Sequence, residues 1–312
     1  MVQLHRLPPG FHEGLQLEIN GVVRSYSVLQ PSRFKIDKCG HRHGIVAFDG
    51  YTTGQNGLPI INRVNETAQK YGLLVIYPSA QPRMFGKAHN IWNASHAMAP
   101  FRRWLQDDCI FVKELQEIAR QQLGTAYWTA IGFSAGAQFS HLLAAEGLVD
   151  EVVSVRGTWV PGQPQPKPGI KLVSFVGGAD PLLPYDKPGI HGTRQERIMA
   201  FLLMRREART LSNPMYDVWA YQGANEPNAP PTKIEKKDVY HRNEYGNGLI
   251  VQYFLPTAGH GWDGRNLGTE FESKYSMLHG AVLPREKFDT NEVFAHELGW
   301  DRFTSEQLTA QN

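Results

Sequence analysis

YWTAIGFSAGAQFSHLLAAEG, residues 127–147, decides the fold. Its first six residues form a β-branched and aromatic run that reads as a buried strand, and the residues after Ser134 are rich in alanine and leucine, which favour helix. Between the two, Gly132-Phe133-Ser134-Ala135-Gly136 matches G-x-S-x-G. A serine held on a strained strand-to-helix turn needs small residues two positions to either side, because strand and helix approach closely there. Ser134 is thus the candidate nucleophile, set against a glycine-rich turn of purely structural use.

Outward from this stretch, short apolar runs alternate with helical periodicities, the mark of an α/β chain. GIVAFD (44–49) and LLVIYP (73–78) read as buried parallel strands joined by a crossover helix around 58–71. Upstream, LQLEIN (15–20) and VVRSYSVL (22–29), separated by Gly21, predict an antiparallel hairpin at the N-terminal edge. Asp107 and Asp108 stand where a helix N-cap belongs, before an apolar face of Ile110, Phe111, Leu115, Ile118, Ala119 and Leu123. A metal-ligand reading of DDC at 107–109 is the weaker one.

Downstream, EVVSVRGTWV (151–160), KLVSFV (171–176) and GLIVQYFL (248–255) are further strands, the last being the final clear one, and NEVFAHELG (291–299) is a closing helix. Residues 192–211 read as a helix and 212–247 contain a Pro-rich loop. The prediction is one domain over 1–312, with an insertion or cap-like excursion at about 182–247 that either rims a cleft or has no substrate role.

Composition excludes several classes. With 312 residues, 41% hydrophobic and 20% charged, the chain has enough apolar matter for a sizeable core. A net charge of +2, without a long like-charge block, does not suit a nucleic-acid backbone or an anionic membrane. Cys39 and Cys109 form no metal-binding spacing and read as two buried thiols or one bridge. MVQLHRLPPGFHEG lacks a signal-peptide apolar run, and no stretch is long enough to span a bilayer, so a soluble protein is expected, with its compartment open. No metal and no organic cofactor is expected. The oligomeric state stays open.

A serine hydroxyl needs a base, and the base needs a carboxylate to orient it. After a strand–serine–helix turn the chain order is serine, acid, histidine. His141 lies on the helix that follows the serine and cannot swing back. Among His191, His241, His260, His279 and His296, only His260 stands just beyond a clear buried strand, flanked by Gly259 and Gly261. Of Asp150, Asp180, Asp186, Asp217 and Asp238, Asp180 follows the KLVSFV strand directly, with Asp186 as the alternative. The oxyanion donors are expected to be the Ala135 amide, at the helix start, and an amide of the loop Asp49-Gly50-Tyr51-Thr52, with Tyr51 favoured over Gly50 and Thr52. Trp92 and Trp104 are candidates for an aromatic acyl pocket or for the core.

With these residues in place the chain resembles the polyhydroxybutyrate depolymerase-like esterase family, which also contains feruloyl and acetylxylan esterases. The likeness runs through GVVRSYSVLQPS, GIVAFDGYTTG, YGLLVIYPSA, IWNA, DDCIFVKEL, IGFSAGA, FVGGADPLLPYD, AGHGWDG and FDTNEVFAHEL. It implies an α/β-hydrolase fold, with a mostly parallel sheet and helices on both faces, and it places Asp180 and His260 where that family carries its acid and base. Two departures stand out: Asp49-Gly50 replaces the usual His-Gly of the oxyanion loop, and Trp262-Asp263-Gly264 replaces Trp-Pro-Gly after the histidine. Trp262 is expected beside the His260 loop, with a part in substrate binding. The implied activity is hydrolysis of a small or oligomeric ester, hydroxyalkanoate, hydroxycinnamoyl or acetyl, through an acyl-enzyme. The alternatives are acyl transfer by the same triad and a binding protein on a hydrolase scaffold.

Overall fold

A computed structural model describes residues 3–37, 40–50, 57–82, 90–94, 107–159, 163–180, 215–222, 230–265, 281–302 and 308–310. Ten strands form one sheet. In chain order its members are β1 (Gly10–Ile19), β2 (Val22–Gln30), β4 (Arg42–Phe48), β5 (Leu74–Pro78), β8 (Thr125–Phe133), β9 (Glu151–Val155), β10 (Lys171–Gly177), β11 (Lys233–Lys236), β12 (His241–Tyr245) and β13 (Ile250–Leu255). The spatial order is β1-β2-β5-β4-β8-β9-β10-β13-β12-β11. From β5 to β13 every pairing is parallel; β1, β2, β12 and β11 add antiparallel strands at the two edges. Short strands β3 (Arg33–Lys35) with β14 (Leu308–Ala310), and β6 (Gln81–Pro82) with β7 (Asn90–Ile91), pair outside this sheet.

The parallel strands are apolar on both faces because both faces are covered. Val46, Phe48, Ala130, Val152 and Leu172 pack in one core cluster with helices α2 (Asp108–Leu123), α3 (Ala135–Glu146) and α4 (Met215–Tyr221). Ile45, Ala47, Ile131, Val153, Val173 and Phe175 pack in the other with α1 (Val64–Tyr71) and α5 (Thr290–Glu297). Alternate residues of one strand thus feed opposite cores.

The hairpin forms at Gly21 as expected, with Ile19 opposite Val22. Several expectations are corrected. The crossover helix starts only at Val64, after a wide turn at Gly57–Ile61, since Arg63 sits in the left-handed region at φ 60°. Ile110 is exposed on α2, not part of its buried face. The strand expected over 151–160 ends at Val155, because Arg156 turns to φ 52°. The stretch 212–247, for which only a Pro-rich loop was named, also contains α4 and the strands β11 and β12, which extend the main sheet. The helix expected at 192–211 and the segment 182–214 lie outside the described residues. Among the described residues no helix is long and apolar enough to cross a membrane.

Candidate active site

Ligand sites in open parallel sheets lie beyond the carboxyl ends of the strands, where the strand order reverses. Here the chain passes from β4 to β5 on one side and returns at β8 on the other. Ser134 leaves β8 at this point with φ 53° and ψ −116°, a conformation an L-residue adopts only under constraint. Its N–H donates to Val155 O at 2.9 Å, and its carbonyl accepts the Ala137 amide at 3.0 Å to start α3. A β-carbon on Gly136 would collide with the Phe48 and Asp49 carbonyls, and one on Gly132 with the Ala137 backbone, so both positions exclude a side chain.

Asp180 lies three residues past the end of β10, and His260 stands in the loop after β13. Ser134 Oγ is 2.9 Å from His260 Nε2, and His260 Nδ1 is 2.8 Å from Asp180 Oδ2. Asp180 and His260 are buried, while Ser134 is half-buried. Ala135 opens α3, and its amide is one of the first-turn N–H groups that have no acceptor inside a helix. Tyr51 and Thr52 lie outside the described residues, as does Asp186. The loop before them is fixed: Asp49 Oδ1 accepts the Leu58 amide at 3.1 Å, and a β-carbon on Gly50 would stand 3.2 Å from Ser134 Cβ. Asp49 therefore serves this turn through its carboxylate, where the resembling family has histidine.

The structure places Trp92 and Trp262 in the core, the second of the two places left open for Trp92 and, for Trp262, the expected seat beside the His260 loop. Trp92 stacks on Phe139 with ring centroids 5.1 Å apart, and its Nε1 donates to Asp49 O at 3.0 Å, so it steadies the loop from behind. Trp262 is buried between Phe133 and Phe294, each ring 6.4 Å away, behind the His260 loop. Trp104 and Cys39 lie outside the described residues; Cys109 is a free, half-buried thiol.

Sequence reasoning missed what holds the histidine loop. Arg156, just past β9, donates from Nε to Gly259 O at 2.7 Å and from Nη2 to Asp263 Oδ2. At the loop's other end Arg63 Nη1 donates to Gly264 O at 2.9 Å and to Asp289 Oδ2 at 2.8 Å. Burial pushes the Asp263 carboxyl up, and Arg156 together with the Leu283 amide pulls against it. Two signals were present: an arginine ending an otherwise apolar strand run, and an aspartate where the family has proline.

His141 is remote from this site. It lies buried on α3, with Nδ1 3.0 Å from Tyr221 Oη and Nε2 3.2 Å from Ser154 Oγ. Burial lowers its pKa, opposed by Asp217, whose Oδ1 is 3.3 Å away. Of the other candidates, His296 pairs with Asp301 at 2.6 Å and Asp150 accepts the Trp128 amide at 2.8 Å. Among the described residues no group of three or more His, Cys, Asp and Glu side chains is placed to hold a metal ion.

No protein-family model matches the chain, and no curated protein matches it. Among solved structures it is similar to an acetyl xylan esterase from Aspergillus awamori, with TM-score 0.52 at 13% identity over 84% of this chain and 97% of that one. The native form of a protein designated sOPH gives TM-score 0.43 at 17% identity, over 58% and 70% of the two chains. A ferulic acid esterase gives 0.41 at 9% identity, over 55% and 80%. The first of these, with the strand order and the turn at Ser134, shows that the chain has the α/β-hydrolase fold.

Proposed function

We propose that this chain is a serine carboxylic-ester hydrolase working through an acyl-enzyme. The observation that carries the reading is the unbroken line Ser134 Oγ, His260 Nε2, His260 Nδ1, Asp180 Oδ2, with contacts of 2.9 and 2.8 Å and the serine on a strained turn. In this reading His260 takes the Ser134 proton as Oγ attacks the ester carbonyl, and the Asp180 carboxylate accepts from Nδ1–H and fixes the tautomer. The Ala135 and Tyr51 amides donate to the oxyanion. His260 then protonates the departing alkoxide, and after water attacks the acyl group with help from the same nitrogen, Ser134 leaves with its proton restored. No metal or organic cofactor has a part in this reaction. Within the class, the resemblance to polyhydroxybutyrate depolymerase-like enzymes favours short hydroxyalkanoate, hydroxycinnamoyl or acetyl esters.

The test is hydrolysis of p-nitrophenyl acetate and of a medium-chain homologue by the native protein and by Ser134→Ala. The expected result is turnover by the native protein, reduced at least about 10³-fold by the substitution. A folded native protein that neither turns over nor is labelled at Ser134 by an organophosphate would count against hydrolysis and for a binding role. A competing alcohol added to the assay separates water from another acyl acceptor: a dominant transesterification product would make the chain an acyltransferase.

A further inference from the structure

We propose that Arg156 is a positioning residue for the reaction: its guanidinium, paired with Asp263, holds the backbone at Gly259 and so sets where His260 stands over Ser134. The inference rests on the esterase reading above. Four neighbouring strands, β8, β9, β10 and β13, each end near the site. Three deliver Ser134, Asp180 and His260; the fourth delivers Arg156.

The connections run through consecutive bonds. Val155 O accepts the Ser134 amide at 2.9 Å, and Arg156, the next residue, donates its own amide to Phe175 O of β10 at 3.0 Å. Its side chain then reaches across to Gly259 O at 2.7 Å, the carbonyl immediately before His260. Nucleophile backbone, acid-bearing strand and histidine loop thus meet at one residue. Asp263 completes the hold: Oδ2 accepts from Arg156 Nη2, Oδ1 accepts the Leu283 amide at 2.9 Å, and its carbonyl accepts the Thr290 amide at 3.3 Å.

Stability alone does not account for this arrangement. Both charged side chains are wholly buried, Arg156 has φ 52°, and its Nη1 is buried with no hydrogen-bond partner among the described residues. A buried ion pair is commonly no better for stability than apolar side chains of similar volume, and an orphaned buried donor is a further cost. What an apolar pair lacks is a directed donor on the Gly259 carbonyl. Catalysis by a histidine depends on its placement to within a fraction of an ångström, which gives that donor a use.

The test compares native protein, Arg156→Lys, and the double variant Arg156→Met with Asp263→Leu. The double variant removes both charges together, so that neither charge is left unpaired, and gives up only the Asp263 acceptor of the Leu283 amide besides the Gly259 contact under test. Thermal melts establish folding, organophosphate stoichiometry counts active sites, and kcat, KM and the pH profile of kcat are then measured on p-nitrophenyl acetate. The double variant is expected to lose kcat by about 10²-fold per titrated site with KM changed by less than about threefold. The acid limb of its profile is expected to move, because the ring no longer meets Asp180 as before. Arg156→Lys, with one nitrogen shared between Gly259 O and Asp263, recovers part of the loss. A folded double variant with kcat and acid limb at the native values overturns the proposal, the pair then being structural only. Should the double variant not fold, Arg156→Lys decides in the same way: native kcat and acid limb overturn it, and a lowered kcat with a displaced limb supports it. An inert native protein that also fails to label sinks the esterase reading, and this inference with it, and is told apart by the untouched native control.

Discussion

Gly177 ends β10, and a β-carbon built there would come within 2.5 Å of Ala258 O and 2.7 Å of Gly259 O. The strand end that leads to Asp180 therefore lies directly against the loop that carries His260, and Ala179 N donates to Ala258 O at 3.0 Å across the contact. Gly177→Ala forces the two loops apart by a fraction of an ångström to about 1 Å, a displacement that costs on the order of 10²-fold in rate when it falls on a catalytic base. The expected outcome is a large drop in kcat per titrated site with a modest shift in melting temperature. A variant with native kcat would show that the loops do not set the triad geometry. At this scale the three side chains that the fold brings into contact, Ser134, His260 and Asp180, were legible because each stands out locally, as a serine between glycines or a carboxylate or histidine just past an apolar run. The pairing of Arg156 with Asp263 was not legible, because the two lie 107 residues apart and only the fold brings them together. Trp92 was left between two places for the same reason: an aromatic residue beyond a strand end reads alike whether its ring faces a pocket or, as here, Phe139.

Two adjacent aspartates at the start of α2 look interchangeable in sequence and are not. Asp107 is the N-cap, extended at φ −73° and ψ 105°, its carboxylate accepting the Cys109 amide at 2.9 Å. Asp108 is buried, taking Arg24 Nη2 at 2.7 Å on one oxygen and the Asn93 amide at 2.7 Å on the other. Asp107→Ala is expected to lower stability by about 1 kcal/mol, the usual worth of a cap. Asp108→Ala strands the buried Arg24 guanidinium and is expected to cost about 3–5 kcal/mol. Chemical denaturation of the two variants checks the ranking, and equal losses would contradict it. The elements themselves were most legible where both faces of a strand are covered, as in β4, β5, β8 and β10, since such strands must be apolar throughout. The strands β11 and β12 escaped notice because KIEK and HRNEY carry charges instead of an apolar run. The charges of β11 suit an exposed sheet edge, where Lys and Glu discourage pairing with another chain.

Helix α5, packed in the core that holds Phe175 and Trp262, ties the histidine loop to the far antiparallel edge. Its N-cap Asp289 holds Arg63, which holds Gly264 O; near its other end Glu297 takes Arg242 Nε at 2.7 Å, Arg242 Nη2 at 3.0 Å and Tyr253 Oη at 2.6 Å. Burial by itself would raise the Glu297 carboxyl, but the hydrogen bonds from Arg242 and Tyr253 outweigh it and leave the pKa below its ordinary value. A carboxyl whose pKa is depressed on folding adds stability in full above its unfolded value and loses that contribution as pH falls toward the folded value. Glu297→Gln is therefore expected to lower stability near neutral pH by on the order of 2 kcal/mol, the worth of hydrogen bonds to a charged group. The gap between native and variant should then narrow as the pH drops below about 4.3, where an unperturbed glutamate protonates. Urea denaturation of both proteins across that range, at constant ionic strength, measures the gap directly. A gap that stays the same at every pH would mean that Glu297 acts through shape alone, and that the staple between α5 and the sheet edge carries no charge-dependent energy.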